Sequence, residues 1–263
     1  MVLRSLDASG LDASGYVERQ RSPGDQVRRL LPDARGHCLT GPIEVRGAEP
    51  GMTLSVHLRY PFNRRLGVAD GPPSWLLWDI GEERATNQHG LSVPVAPFLG
   101  VIGVAPSARG DHSTIPPRAD AGGNVDCRAL TAGSTLFLPV QVAGALLSLG
   151  DGHAAQGDGE VGGTAVECAM TTELVVDLVP DPPLRTVHAI TPTSRITFGF
   201  SADLNAATGD ALDAMLTWLQ ALHGLNRPTA LAVASGCVDL HVTQVANSVW
   251  GVHAMLSSER LLG

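Results

Sequence analysis

Two periodicities run through this chain, and only one segment clearly follows the helical one. In SADLNAATGDALDAMLTWLQALHG, Leu212, Met215, Leu216, Leu219 and Leu222 recur at three- and four-residue steps. That spacing lines one face of an α-helix. The pattern predicts a helix near 203–223, with Asp203 or Asn205 capping its start and Gly224 its end, and Pro228 blocking continuation. Elsewhere the apolar residues alternate or cluster in short runs. TGPIEVRGAEPGMTLSVHLRY alternates on either side of GAEPG, with Ile43 and Val45 before it and Leu54, Val56 and Leu58 after. This predicts a β-hairpin over 40–60. Residues 61–90 read as irregular. VPVAPFLGVIGVAP and STLFLPVQVAGALLSLG are apolar runs interrupted by Gly and Pro, as buried strands with bends would be. VGGTAVECAMTTELVVDLV alternates through residue 179 as a pair of strands. The C-terminal stretch offers one further helix-or-strand segment and a final strand, Val249–Met255. The sum is a β-rich α+β protein. No linker or long-period repeat divides it, so 22–263 reads as a single domain. A doubled LDASG at 6–15 marks 1–21 as a loose or divergent end.

Composition narrows the chemistry. The 263 residues carry a net charge of −8, which argues against a nucleic-acid partner. No apolar stretch reaches the length of a membrane span, and the N-terminus lacks the apolar core of a signal peptide, so a cytoplasmic location is expected. All 18 basic residues are Arg. The absence of Lys excludes a lysine base, a lysine Schiff base and a Walker-type phosphate loop. The four cysteines, Cys38, Cys127, Cys168 and Cys237, lie far apart and read as buried thiols. A Cys127 nucleophile is the alternative. The nucleophile-elbow pattern GxSxG is absent.

One stretch needs an explanation that packing does not supply. GDGHAAQGDGE, residues 150–160, holds Asp151, His153, Gln156, Asp158 and Glu160 among glycines. Asp-Gly clusters often make ordinary turns. Here, however, Asp151 and His153 follow an apolar run, and if the strand continues they share a face. A carboxylate and an imidazole so placed form half of a site for Zn²⁺ or another divalent transition ion. A second cluster lies in PPRADAGGNVDCRAL, where Asn124 and Asp126 are also two apart, after Gly122 and Gly123. A third candidate is His37. His223, His241 and His253 fall in periodic segments and read as structural. Acid-rich, low-bulk clusters in a chain without Lys favour metal-assisted hydrolysis over covalent catalysis.

LTGPIEVRGAEPG, FLGVIGVAP, GGNVD, GSTLFLPVQVAGALLSLGDGHAAQGDGEVGGTAVE and SGCVDLHVTQVAN, in that order, resemble the acetamidase/formamidase family from about residue 22 onward. The resemblance implies hydrolysis of short linear amides, formamide and acetamide foremost, to ammonia and a carboxylate. A γ-lactam or larger amide, or a non-catalytic amide-binding role, is the alternative. It further implies a jelly-roll-like β-sandwich with smaller α/β parts, a homo-oligomer, and a bound divalent metal, often Zn²⁺; Ca²⁺ is our candidate for a second, structural ion. Carried onto this chain, it puts Asn124, Asp126, Asp151 and His153 around the metal and substrate, and we take Asp126, Asp151 and His153 as the expected ligands. Glu160 and Glu167 become acid/base candidates and Asn124 an oxyanion donor. Gly122, Gly123, His37 and Gln156 would contact substrate. Two departures stand out: Ala121 where the family often has His, and Met52 where it often has Asp. The segment after Asp33 is also short.

Overall fold

The computed structural model describes residues 1–5, 37, 39–59, 66–69, 76–110 and 112–261. Alternating segments make two antiparallel sheets. The first runs, edge to edge, β1 (Val2–Ser5), β13 (Met170–Val179), β3 (Thr53–Arg59), β10 (Thr135–Pro139), β14 (His188–Ile190), β15 (Ser194–Ser201), β17 (Trp250–Ser257) and β16 (Val238–Gln244). The second runs β7 (Ser92–Pro94), β6 (Arg84–Asn87), β5 (Leu76–Ile80), β4 (Leu66–Ala69), β12 (Val166–Glu167), β11 (Leu147–Ala155), β8 (Phe98–Gly103) and β9 (Gly122–Asn124). Here β2 (Leu39–Ile43) also pairs with β11.

One hydrophobic cluster joins the two sheets. Leu54, Val56, Leu58, Leu136 and Leu138 come from the first sheet, and Phe98, Leu99, Ile102, Leu147 and Leu149 from the second. Sheet faces that bury apolar side chains against each other are the stable solution for a β-sandwich. The β-rich α+β class and the sandwich expected from the sequence are what the chain adopts.

A helical layer packs onto the first sheet. Helix α1 spans Leu204–His223 and α2 spans Arg227–Cys237. Ala207, Ala211, Met215 and Leu219 of α1 meet Ala230 and Ala234 of α2 and Val252 and Ala254 of β17. Asp203 is the N-cap, accepting from the Ala206 N–H at 2.8 Å, and Gly224 closes the helix in the left-handed conformation. Met215, Leu216 and Leu219 of the predicted stripe are buried and Leu212 packs beside them, but Leu222 is exposed, and Ala207, Ala211 and Trp218 join the buried face. Small residues let the helix sit close to the sheet, and a count of large apolar residues misses them. Among the described residues, no helix is long and apolar enough to cross a membrane.

Two local predictions need correction. The 40–60 segment is not a hairpin. β2 pairs with β11 in the second sheet, and β3 pairs with β10 and β13 in the first, so the GAEPG turn carries the chain between layers. Alternation gives a strand's faces and not its partners. Residues 61–90 are not simply irregular, because β4, β5 and β6 pair in sequence there. These strands span only four or five residues each, too few for period two to stand out. Met1's backbone and β1 extend the first sheet from β13, while the LDASG repeat, Asp25, Asp33 and Cys38 lie outside the described residues.

Candidate active site

The site grows from β11 and the elements on either side of it. Across the β11–β12 pair, His153 stands opposite Glu167. Across the β8–β11 pair, Gly150 meets Val101 and Gly152 meets Leu99, which sets Asp151 beside Gly100. The Gly100 carbonyl accepts the Asp126 N–H at 3.1 Å, so the turn after β9 delivers Asp126 to the same place. Glu160 arrives on the loop after β11. That loop is held by backbone bonds to the end of β16: Gly159 N–H to Thr243 O at 3.1 Å, and Val245 N–H to Gly159 O at 2.8 Å.

Backbone strain concentrates at these acids. Five non-glycine residues have positive φ among the described residues, and three are Asp126 (49°), Asp151 (61°) and Glu160 (42°). Left-handed conformations are costly for residues with a Cβ and persist where the surroundings enforce them. Asp151 therefore leaves the extended conformation within β11. Its sharing of a site with His153 is not the simple consequence of pleating that the sequence suggested.

Four carboxylates and one imidazole converge. Donor atoms of Asp126, His153 and Glu160 form one group within 4.8 Å, and those of Asp151, His153 and Glu167 form another. His153 Nε2 lies 3.3 Å from Glu167 Oε2 and 3.5 Å from Asp151 Oδ2. All five side chains are buried, none more than 6% exposed. Gln156 fixes the imidazole. Its Nε2 donates to the Asp126 carbonyl at 2.7 Å, which leaves Oε1 to accept from His153 Nδ1 at 2.9 Å. A proton on Nδ1 turns the Nε2 lone pair toward the carboxylates. This is how a histidine ligand is oriented by a neighbour.

The arrangement fits a cation. Both oxygens of Asp126, Asp151 Oδ1, Glu160 Oε2, Glu167 Oε2, Asn124 Oδ1 and His153 Nε2 are buried without a hydrogen-bond partner. So many orphaned acceptors around one point are costly unless a positive charge satisfies them. The acidities respond to the crowding. Burial first, then the Glu160 charge, pushes Asp126 well above the usual carboxylate range. Burial also raises Glu160, and it raises Glu167 to about 7. For Asp151, burial pushes upward, but His153 and His37 outweigh it and hold the group below its ordinary value. Burial lowers His153, and Glu167 and Asp151 together raise it well above.

The donors border a cavity of about 190 Å³, whose wall includes Asn124, Asp126, Asp151, Glu160, Glu167 and His37. His37 Nε2 is 3.8 Å from Asp151 Oδ2, and its Nδ1 meets Thr114 Oγ1 at 3.0 Å. Gln156 acts behind His153, outside this wall. Gly122 and Gly123 are not in the wall either. The Gly122 N–H donates to Arg118 O, and a Cβ there would lie 2.5 Å from Ile102 O. That glycine serves strand packing. Ala121 sits in the hydrophobic core and Met52 packs against it, so neither departure removes a group from the cavity wall. Cys127 is fully buried, its thiol is pushed up to about 12 by burial, and it lines neither cavity, which disfavours it as a nucleophile.

Sequence reasoning missed Gly100. A Cβ there would lie 2.5 Å from Asp126 Oδ1, 2.6 Å from Asp151 Oδ2 and 2.9 Å from His153 Cε1. Only a glycine leaves the donors room to converge. The signal was present as the first of two glycines in FLGVIG, but its meaning depends on β11 and Asp126 lying against it.

Similarity to known proteins agrees with this geometry. The model of the acetamidase/formamidase family matches residues 108–249. A formamidase of Methylophilus methylotrophus is 29% identical over 70% of this chain and 64% of its own length. An acetamidase of Mycolicibacterium smegmatis is 28% identical over 54% of this chain and 53% of its own. The chain thus spans less than two thirds of these curated relatives. The crystal structure of an acetamidase from Bacillus halodurans superposes with a TM-score of 0.85 at 28% identity, over 98% of this chain and 88% of that one.

Proposed function

Since the chain belongs to the acetamidase/formamidase family, we propose that it is a metal-dependent hydrolase of short linear amides, releasing ammonia and a carboxylate. The carrying observation is the set of buried, unpartnered carboxylate oxygens around His153 Nε2. Asp151, His153 and Glu167 would hold the ion, with Asp126 as a further oxygen donor. An imidazole among carboxylates suits Zn²⁺ or a similar borderline ion and is a poor set for Ca²⁺, which takes oxygen ligands. When bound, such an ion polarises a carbonyl and makes water a nucleophile near neutral pH.

The chain's own residues supply the rest. The Glu160 carboxylate accepts a proton from the attacking water and returns it to the nitrogen as the C–N bond breaks. Asn124 lies in the same wall and orients the amide or stabilises the oxygen that gains charge. His37 lies in the same wall, 3.8 Å from Asp151, and contacts substrate there. The cavity volume supports a small substrate. At roughly 30 Å³ per water molecule, 190 Å³ has space for a few-atom amide and attacking water.

Ammonia release from formamide, acetamide, propionamide and a γ-lactam, before and after chelation, tests the reading. Activity that disappears with the chelator and returns with Zn²⁺ supports it. Activity that persists in protein shown by elemental analysis to be metal-free overturns it.

A further inference from the structure

Glu160 stands between two spaces. Behind the small polar cavity, a second one of about 670 Å³ is lined from both sheets. Glu160 and Thr164 belong to the walls of both. The larger space has an apolar body, to which Trp78, Val93, Ala155, Val166 and Met255 contribute. Its charged lining is paired with itself. Arg128 Nε donates to Asp158 Oδ1 at 2.8 Å, and His241 Nδ1 lies 3.3 Å from Asp158 Oδ2. His253 shares a hydrogen bond of 2.8 Å with Thr243 Oγ1. Apart from Glu160, which belongs to the acid cluster, no unpaired charged side chain lines it among the described residues. Formamide and acetamide have nothing to place in such a cavity.

We propose that this cavity receives an uncharged apolar substituent of the amide, so that the preferred substrates carry an alkyl or aryl group larger than methyl. The proposal rests on reading the acid cluster as the hydrolytic centre. With the carbonyl at Glu160, a substituent passing Thr164 enters an apolar space whose size is typical of small-molecule sites. Binding energy gained there, away from the reacting atoms, can be used to position the amide. Burying one methylene favours binding roughly fourfold. A longer neutral amide therefore gains in kcat/KM, and a zwitterionic amide such as glutamine does not.

The test uses the full chain. Ammonia release from acetamide, butanamide, hexanamide, phenylacetamide and glutamine is measured for the metal-loaded wild type, Val93→Trp and Ala96→Trp. Both residues line the larger cavity and neither lines the smaller one. Calorimetry follows hexanamide binding to chelator-treated protein. The expected result is kcat/KM at least tenfold higher for hexanamide and phenylacetamide than for acetamide. The two variants bring the long amides down to the acetamide level, leave acetamide unchanged and weaken hexanamide binding. Acetamide turnover with no gain on lengthening and no effect of either tryptophan overturns the proposal and leaves the hydrolase reading intact. No ammonia from any amide overturns the hydrolase reading, and the proposal with it.

Discussion

His153 and His188 are equally buried, each 1% exposed, and their surroundings have opposite effects. His188 stacks on Phe137 at 4.7 Å, meets Trp218 edge-on at 5.1 Å, and bonds Thr186 O at 2.7 Å. Burial alone dominates there and lowers its pKa to about 4. His153 has one nitrogen satisfied by Gln156 and the other aimed at Asp151 and Glu167, each of which keeps a buried oxygen without a hydrogen-bond partner. A buried imidazole is therefore not by itself a sign of function. The sign is the unfinished polar company it keeps. His188 completes a core; His153 belongs to a cluster whose donors suit a cation.

The largest effect should come from the cluster. His153→Ala should abolish bound metal and turnover together, while Glu160→Gln should keep the metal and lower kcat by about a thousandfold. Elemental analysis beside a rate assay separates the two. A His153→Ala protein with full metal would erase the contrast with His188.

The next concerns His188 and acid. Its folded pKa of about 4 lies below the ordinary imidazole value of 6.5, so between those values the unfolded chain binds more protons than the folded one. Stability is complete above pH 6.5 and falls as the pH drops toward 4, by up to about 3 kcal/mol. Denaturant titrations of wild type and His188→Phe should show a shallower fall for the variant over that window. Equal slopes would mean His188 does not titrate as its environment demands.

Gly100→Ala should then lower activity about a hundredfold, since its methyl intrudes on Asp126 and Asp151 and displacements of this size misplace catalytic groups. Metal content and a thermal melt would show the loss confined to the site. The smallest expected effect is from Gln156→Leu, which frees His153 Nδ1 and should weaken metal affinity tenfold to a hundredfold. A metal titration with a competing chelator measures it. An unchanged affinity would mean the imidazole needs no anchor.

Part of this contrast was legible in the sequence. Asp151, His153 and Glu160 stood out because they are close along the chain and no core needs them. Asp126 stood out beside Asn124 as a separate cluster, Glu167 entered through the family resemblance, and their convergence on His153 is a matter of strand pairing and the turn after β9. Gly100 could not be read at all, because a glycine in an apolar run signifies nothing until two other segments fold against it. The left-handed turns at Asp126, Asp151 and Glu160 likewise carry no mark in residue type, since each is imposed by its surroundings. The helix was clear because its period is local. The misread hairpin failed because two adjacent alternating strands do not reveal that they belong to different sheets.

The backbone bonds from Gly159 to Thr243 and Val245 set an order of events during synthesis. A ribosome producing roughly 5–20 residues per second finishes the segments bearing Asp126, Asp151, His153 and Glu167 several seconds before it makes the strand end that seats Glu160. Throughout that interval the nascent chain carries the acids of the cluster but not the strand end that seats Glu160. On the proposed reading, the ligand set is therefore synthesised before the element that positions the proton carrier.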